Sequence, residues 1–193
     1  MIAIIDYGAG NLKSIYKAVE KTGGKAVITT ERDVIESADA IILPGVGAFE
    51  TAIKNLGSVS DYLTRTDVPV LGICLGMQLF ADESEEGGLH KGLGVIEGRV
   101  IRFPDWVGKI PHMGWNLVSA SDHPLFEGVG KEYFYFVHSY YFKTDERYVI
   151  GTAEYGIVFP AAVARDNIMG VQFHPEKSGK NGLRVLENFG DMI

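Results

Sequence analysis

The sequence predicts an α/β fold with an open, mostly parallel central sheet flanked by helices and antiparallel strands added in its second half. Three observations predict it. Short apolar runs of strand length alternate with helix-period patterns from Ile2 to Ala81. The first of these runs is apolar throughout, as in strands covered on both faces. Beyond Val95, strand-like segments follow one another with little helix between them, which suits hairpins.

Ile2–Ile5 is the first run. Leu12, Ile15, Tyr16 and Val19 follow at i, i+3, i+4 and i+7, the apolar face of a helix that Gly23-Gly24 ends. Lys25–Thr29 reads as a strand, Asp33–Ser37 as a short helix, and Asp39–Leu43 as a strand stopped by Pro44-Gly45. Ala48–Leu56 is helical, Val68–Ile73 a strand, and Leu75–Ala81 a helix directly after it. The second half reads as strands over Val95–Phe103, Trp115–Val118, Glu132–Phe142, Tyr148–Glu154, Val158–Arg165 and Ile168–Phe173. Ser178–Met192 is a last helix with Leu183, Leu186 and Phe189 on one side. The glycine-rich stretch Glu86–Gly94 is the expected mobile loop. No repeat or linker divides residues 1–193, so one domain is expected.

A net charge of −7 with no Lys or Arg run argues against a broad nucleic-acid surface. No stretch approaches the roughly 18 apolar residues of a membrane span, and the first residues lack a basic, apolar, cleavable leader. A cytoplasmic protein is the expectation. One cysteine excludes an internal disulfide and any multi-cysteine metal site, and no metal or cofactor is expected. Gly8-x-Gly10 follows the first strand, but Lys13 occupies the third glycine position of a dinucleotide fingerprint, so that motif fails.

The chemistry-bearing segment is Val70-Leu-Gly-Ile-Cys-Leu-Gly-Met-Gln78. Gly72 and Gly76 flank Cys74 two residues away on each side, as small residues flank the nucleophile of a strand–turn–helix elbow. Such a residue stands at the carboxyl end of a strand, where open α/β sheets bind ligands. An unassisted thiol is only a few per cent ionised at neutral pH, so a nucleophile needs a base. His174 sits in Val171-Gln-Phe-His-Pro-Glu176, just past a strand. In an extended segment, His174 and Glu176 point the same way, which makes the first a base and the second its orienter. The N–H of Leu75 is an oxyanion donor by elbow geometry, and the turn Pro44-Gly-Val-Gly47 offers a second set of amides.

These segments resemble the glutaminase domain of the class I glutamine amidotransferases. Gly72-Ile-Cys-Leu-Gly-Met-Gln78 is similar to that family's nucleophile segment and His174-Pro-Glu176 to its other triad members, and the likeness spans essentially the whole chain. It implies that Cys74 attacks the side-chain amide of L-glutamine, His174 shuttles the proton and Glu176 orients His174. It also implies that Gln78 and the backbone of Gly45, Val46 and Gly47 hold the substrate, with His138, Ser139 and Tyr140 lining its pocket.

Four further segments resemble one branch of the family, which works in histidine biosynthesis: Asp6–Ser14, Pro44–Phe49, Pro111–Asn116 and Phe136–Tyr141. There the glutaminase pairs with a separate (β/α)8-barrel cyclase as a heterodimer and passes it ammonia. The likeness puts Asn11, Trp115 and Lys177 near that contact. Asn11 equally suits the cap of the first helix. Three other readings share part of the pattern: a glutaminase of pyridoxal phosphate synthesis, a peptidase-like cysteine hydrolase and an inactive binding module.

Overall fold

The computed structural model describes residues 1–193. Its first part runs β1 (Ile2–Ile5), α1 (Leu12–Lys21), β2 (Ala26–Thr29), α2 (Arg32–Glu36), β3 (Ala40–Leu43), α3 (Phe49–Leu56), α4 (Val59–Leu63), β4 (Val70–Ile73) and α5 (Leu75–Gln78). Next come β5 (Glu83–Ser84), β6 (His90–Lys91), β7 (Gly98–Arg102), β8 (His112–Ala120) and β9 (Lys131–His138). The remainder is β10 (Tyr140–Thr144), β11 (Val149–Tyr155), β12 (Ile157–Arg165), β13 (Ile168–Val171) and α6 (Gly179–Gly190). No helix is long and apolar enough to cross a membrane.

Nine strands form one sheet in the order β2-β1-β3-β4-β13-β12-β11-β8-β9. Pairings from β2 to β13 are parallel, and those from β13 to β9 antiparallel. The open α/β sheet with antiparallel strands added is therefore the fold, as expected. β1, β3, β4 and β13 are buried at every position. Their alternate residues feed two cores, because successive side chains of a strand point to opposite faces. Ile2, Ile4, Ile42, Leu71 and Ile73 meet Ile15 and Val19 of α1 and Val185, Leu186 and Phe189 of α6 on one face. On the other, Ile5, Ile41, Leu43 and Val70 meet Phe49 and Leu56 of α3 and Leu63 of α4. Burying each such side chain contributes roughly 1.5–3 kcal/mol.

The helix after Cys74 is shorter than the expected Leu75–Ala81, ending at Gln78. Leu93, Val95 and Ile96 turn their N–H groups onto the carbonyls of Leu79 and Phe80, and Gly94 onto that of Ala81, so those carbonyls serve the following loop instead of a longer helix. The same bonds pin the end of the glycine-rich stretch. Its middle adds a strand, β6, to a second sheet ordered β10-β7-β5-β6. The expected loop is thus held at its middle and end, leaving an exposed turn at Gly87, Gly88 and Leu89.

The expected single strand Glu132–Phe142 is also two. β9 pairs with β8 in the large sheet, whereas β10 pairs with β7 in the small one, and Ser139 is the corner between them. An apolar alternation continues through the corner, so periodicity alone does not reveal the change of partner.

Candidate active site

Three neighbouring strands deliver the candidate residues at their carboxyl ends: β3 the Pro44–Gly47 turn, β4 Cys74, and β13 the segment leading to His174. Cys74 has φ 53° and ψ −106°, a backbone conformation unfavourable to a side chain. The elbow glycines are sterically required. A Cβ on Gly76 would lie 1.9 Å from the Leu43 carbonyl oxygen, and one on Gly72 2.6 Å from the Met77 nitrogen. The turn is anchored from behind by Cys74 N–H, which donates to the Val171 carbonyl at 2.7 Å.

His174 Nδ1 lies 2.9 Å from Glu176 Oε1, and both side chains are only 2% exposed. The pair forms through a 3-10 turn at Pro175–Lys177, not through the extended segment expected, because Lys177 N–H bonds back to the His174 carbonyl. Two contacts not foreseen hold that turn. Ser178 Oγ donates to the His174 carbonyl at 2.6 Å and accepts from Tyr135 N–H of β9. Gly182 of α6 leaves room for the Pro175 carbonyl, which a Cβ there would meet at 2.0 Å. Because the Glu176 carboxylate accepts from Nδ1, Nε2 is the nitrogen left for Cys74, and no other group bonds it. Burial works against an imidazolium here. Hydrogen bonding and charge attraction from the Cys74 sulfur and the Glu176 carboxylate outweigh it and raise the His174 pKa to about 9.

A cavity of about 340 Å³ opens beside the thiol. Val46, Gly47, Cys74, Leu75, Gln78, His138, Ser139 and Tyr140 all line it, so the tertiary structure brings these expected residues together. Gly45 lies against them, with no room for a Cβ, which would meet Leu75 at 2.6 Å and the Gly76 nitrogen at 2.7 Å. Its carbonyl accepts the Leu75 N–H at 3.4 Å, so that candidate oxyanion donor is occupied. Glu86 lines the cavity unforeseen and accepts the Phe49 N–H at 3.0 Å; burial raises its pKa. Its only sequence signal was an acidic residue at the edge of a glycine-rich stretch.

Gln78 Nε2 donates to the Tyr140 carbonyl and to Gln172 Oε1, both at 3.0 Å. His138 Nδ1 lies 2.8 Å from the same carbonyl, and His138 Nε2 3.0 Å from His112 Nδ1. Since a carbonyl only accepts, His138 donates to it and receives from His112. Burial lowers the pKa of His112 to about 4 and of His138 to about 3, so this pair is neutral.

The residues expected at a partner contact lie apart from the cavity. Trp115 is 56% exposed, packs edge-on against Tyr135, and shares that ring with the ammonium of exposed Lys177. Asn11 is exposed at the start of α1, which packs on the Pro175–Lys177 turn, and its side chain makes no capping bond.

The model of a protein family described as glutamine amidotransferase class-I matches residues 3–192. The chain belongs to that family. Curated relatives of this amidotransferase include the imidazole glycerol phosphate synthase subunit HisH of Archaeoglobus fulgidus, 54% identical and covering 100% of this chain and 99% of that one. The protein of the same name from Methanocaldococcus jannaschii is 52% identical, with 100% of both chains covered. Among solved structures, one titled glutamine amidotransferase superposes with a TM-score of 0.76 at 21% identity, over 100% of this chain and 98% of that one. PurLQS from Thermotoga maritima superposes with a TM-score of 0.75 at 19% identity, over 97% of this chain and 96% of that one. These two likenesses concern the amidotransferase fold.

Proposed function

We propose that this chain is the glutaminase subunit of an imidazole glycerol phosphate synthase, hydrolysing L-glutamine through Cys74, His174 and Glu176 and supplying ammonia to a separate (β/α)8-barrel cyclase. The observation that carries the chemistry is the buried His174–Glu176 pair, whose unpartnered Nε2 is coupled to a thiol on a strained elbow. The HisH relatives, at 54% and 52% identity, carry the choice of pathway.

In the first half-reaction the Cys74 sulfur attacks the side-chain amide carbon, and the carbonyl electrons move onto oxygen. Collapse of that oxyanion breaks the C–N bond as the His174 imidazolium gives its proton to the departing nitrogen. Ammonia leaves, and a thioester remains. Neutral His174 then takes a proton from water, whose oxygen attacks the thioester; glutamate leaves and the thiolate is restored beside imidazolium. Glu176 holds the ring and offsets its charge. Glu86 supplies a carboxylate for the substrate's α-ammonium group, and His138, Ser139 and Tyr140 form the opposite wall.

Mixing the chain with candidate partners tests the assignment. With the histidine-pathway cyclase and its nucleotide substrate, glutamine is expected to yield both glutamate and imidazole glycerol phosphate. Activity only with the barrel subunit of pyridoxal phosphate synthesis would move the chain to that pathway.

The mechanism also predicts a pH profile. His174 titrates at about 9, above its ordinary 6.5, so the imidazolium that protonates the leaving group is present at neutral pH and is lost as pH rises through 9. In the assembled enzyme kcat/KM is expected to fall by about tenfold per pH unit on that alkaline limb. A profile still flat a full unit beyond it would refute the role of His174.

A further inference from the structure

Gln172 is the one fully buried amide side chain that the scheme above leaves unused, at 0% exposure between Val171 and Phe173. Its backbone N–H is already committed to the Ala161 carbonyl at 2.8 Å, so the segment is fixed independently of the side chain. The orientation of the amide follows from its neighbours. The Tyr140 carbonyl accepts and cannot donate, so the Gln78 group facing it is the nitrogen. The second hydrogen of that nitrogen goes to Gln172, whose facing atom is therefore the oxygen, at 3.0 Å. Gln172 Nε2 is thereby turned toward Cys74 Sγ, 3.5 Å away.

We propose that Gln172 is a further catalytic residue, donating a hydrogen bond to the Cys74 sulfur and stabilising its negative charge before attack and again when the thioester breaks. The proposal rests on the nucleophilic role of Cys74 argued above. Besides His174 Nε2, which gives up its proton during the reaction, the sulfur's remaining hydrogen-bonding neighbour is the Val137 carbonyl, at 3.9 Å. That carbonyl suits a thiol and opposes a thiolate, so a donor that keeps its hydrogen offsets it. Gln78 then has a positioning role besides lining the cavity: it holds the Gln172 amide in the donating orientation.

The test compares Gln172→Met, which keeps the volume and removes the donor, with Gln172→Glu, which keeps the shape and adds charge. Alkylation of Cys74 by iodoacetamide at neutral pH is expected to slow about tenfold in Gln172→Met and further in Gln172→Glu. In the assembled enzyme kcat should fall in the same order while KM stays within about twofold. Alkylation and kcat of a folded Gln172→Met both within about twofold of wild type would overturn the proposal. Should neither variant fold by circular dichroism, nitrogen-15 NMR of the unmutated chain decides: the Gln172 side-chain amide should shift when Cys74 is alkylated, and an unmoved resonance is an equal refutation. Alkylation needs no glutamine, so a wild-type chain that releases no glutamate even with the cyclase and its nucleotide ligand present would sink the glutaminase reading while still allowing the hydrogen bond to be judged.

Discussion

Replacing Cys74 by alanine is expected to abolish glutamate release, by about 10⁴-fold or more in kcat, since nucleophile removal from a triad enzyme reaches about 10⁶-fold. The loss should be confined to chemistry. Alanine keeps the Cβ and the strained φ of 53°, so the elbow is neither relieved nor filled, and the sulfur's contacts to Gln172 and Val137 are long. Binding to the barrel partner should persist, because the exposed Asn11, Trp115 and Lys177, which the family resemblance puts near that contact, are unaltered. Residual turnover within about tenfold of wild type would remove Cys74 from the nucleophile role.

The second large effect is expected from the partner. Glutaminase activity of the isolated chain should be weak, and addition of the cyclase with its nucleotide ligand should raise it about 10²–10³-fold, the range associated with a single oxyanion donor. In the isolated chain the Gly45 carbonyl occupies the Leu75 N–H at 3.4 Å. Rotating the Gly45–Val46 peptide would withdraw that oxygen and turn the Val46 N–H toward the same space. Two features of the turn favour such a rotation: Val46 is 43% exposed, and Gly47, at φ 124°, has open space around its α-carbon. A loop next to Asn11 touches the turn directly, since Tyr7 donates its hydroxyl to the Pro44 carbonyl and a Cβ on Gly10 would meet Pro44 at 3.1 Å. A partner bound near Asn11 would thus press on the segment that must move. Equal glutamate release with and without the cyclase would refute this gating.

Much of this site was legible because its signals are local. Gly72 and Gly76 announce the Cys74 elbow through their spacing, and the structure shows the physical demand behind it in the crowding of Leu43 and Met77. The His174–Glu176 pairing was legible for a related reason: two residues around a proline cannot travel far apart, whether the segment is extended or, as observed, a 3-10 turn. The buried parallel strands β1 and β3 announced themselves by unbroken apolar runs, whereas β13, read with the hairpins, did not. Glu86 and Gln172 were not legible in the same way. One looks like an ordinary loop carboxylate and the other like a polar residue in a strand end, until β4 and β13 are placed side by side.

The sequence by itself singled out the candidates for reactive chemistry and the parallel strands β1, β3 and β4, because both depend on neighbours a few positions away. It grouped Ile168–Phe173 with the hairpins, and only the fold shows β13 pairing parallel with β4. Only the tertiary structure decided what surrounds those candidates. The corner at Ser139 sends β9 and β10 into different sheets, and so aims the Tyr140 carbonyl at Gln78 and His138. Gln78 in turn orients Gln172 toward the sulfur, across 98 positions of sequence from Cys74. Backbone pairing over such separations is set by how the sheets close on one another, and hydrophobic periodicity carries no record of it.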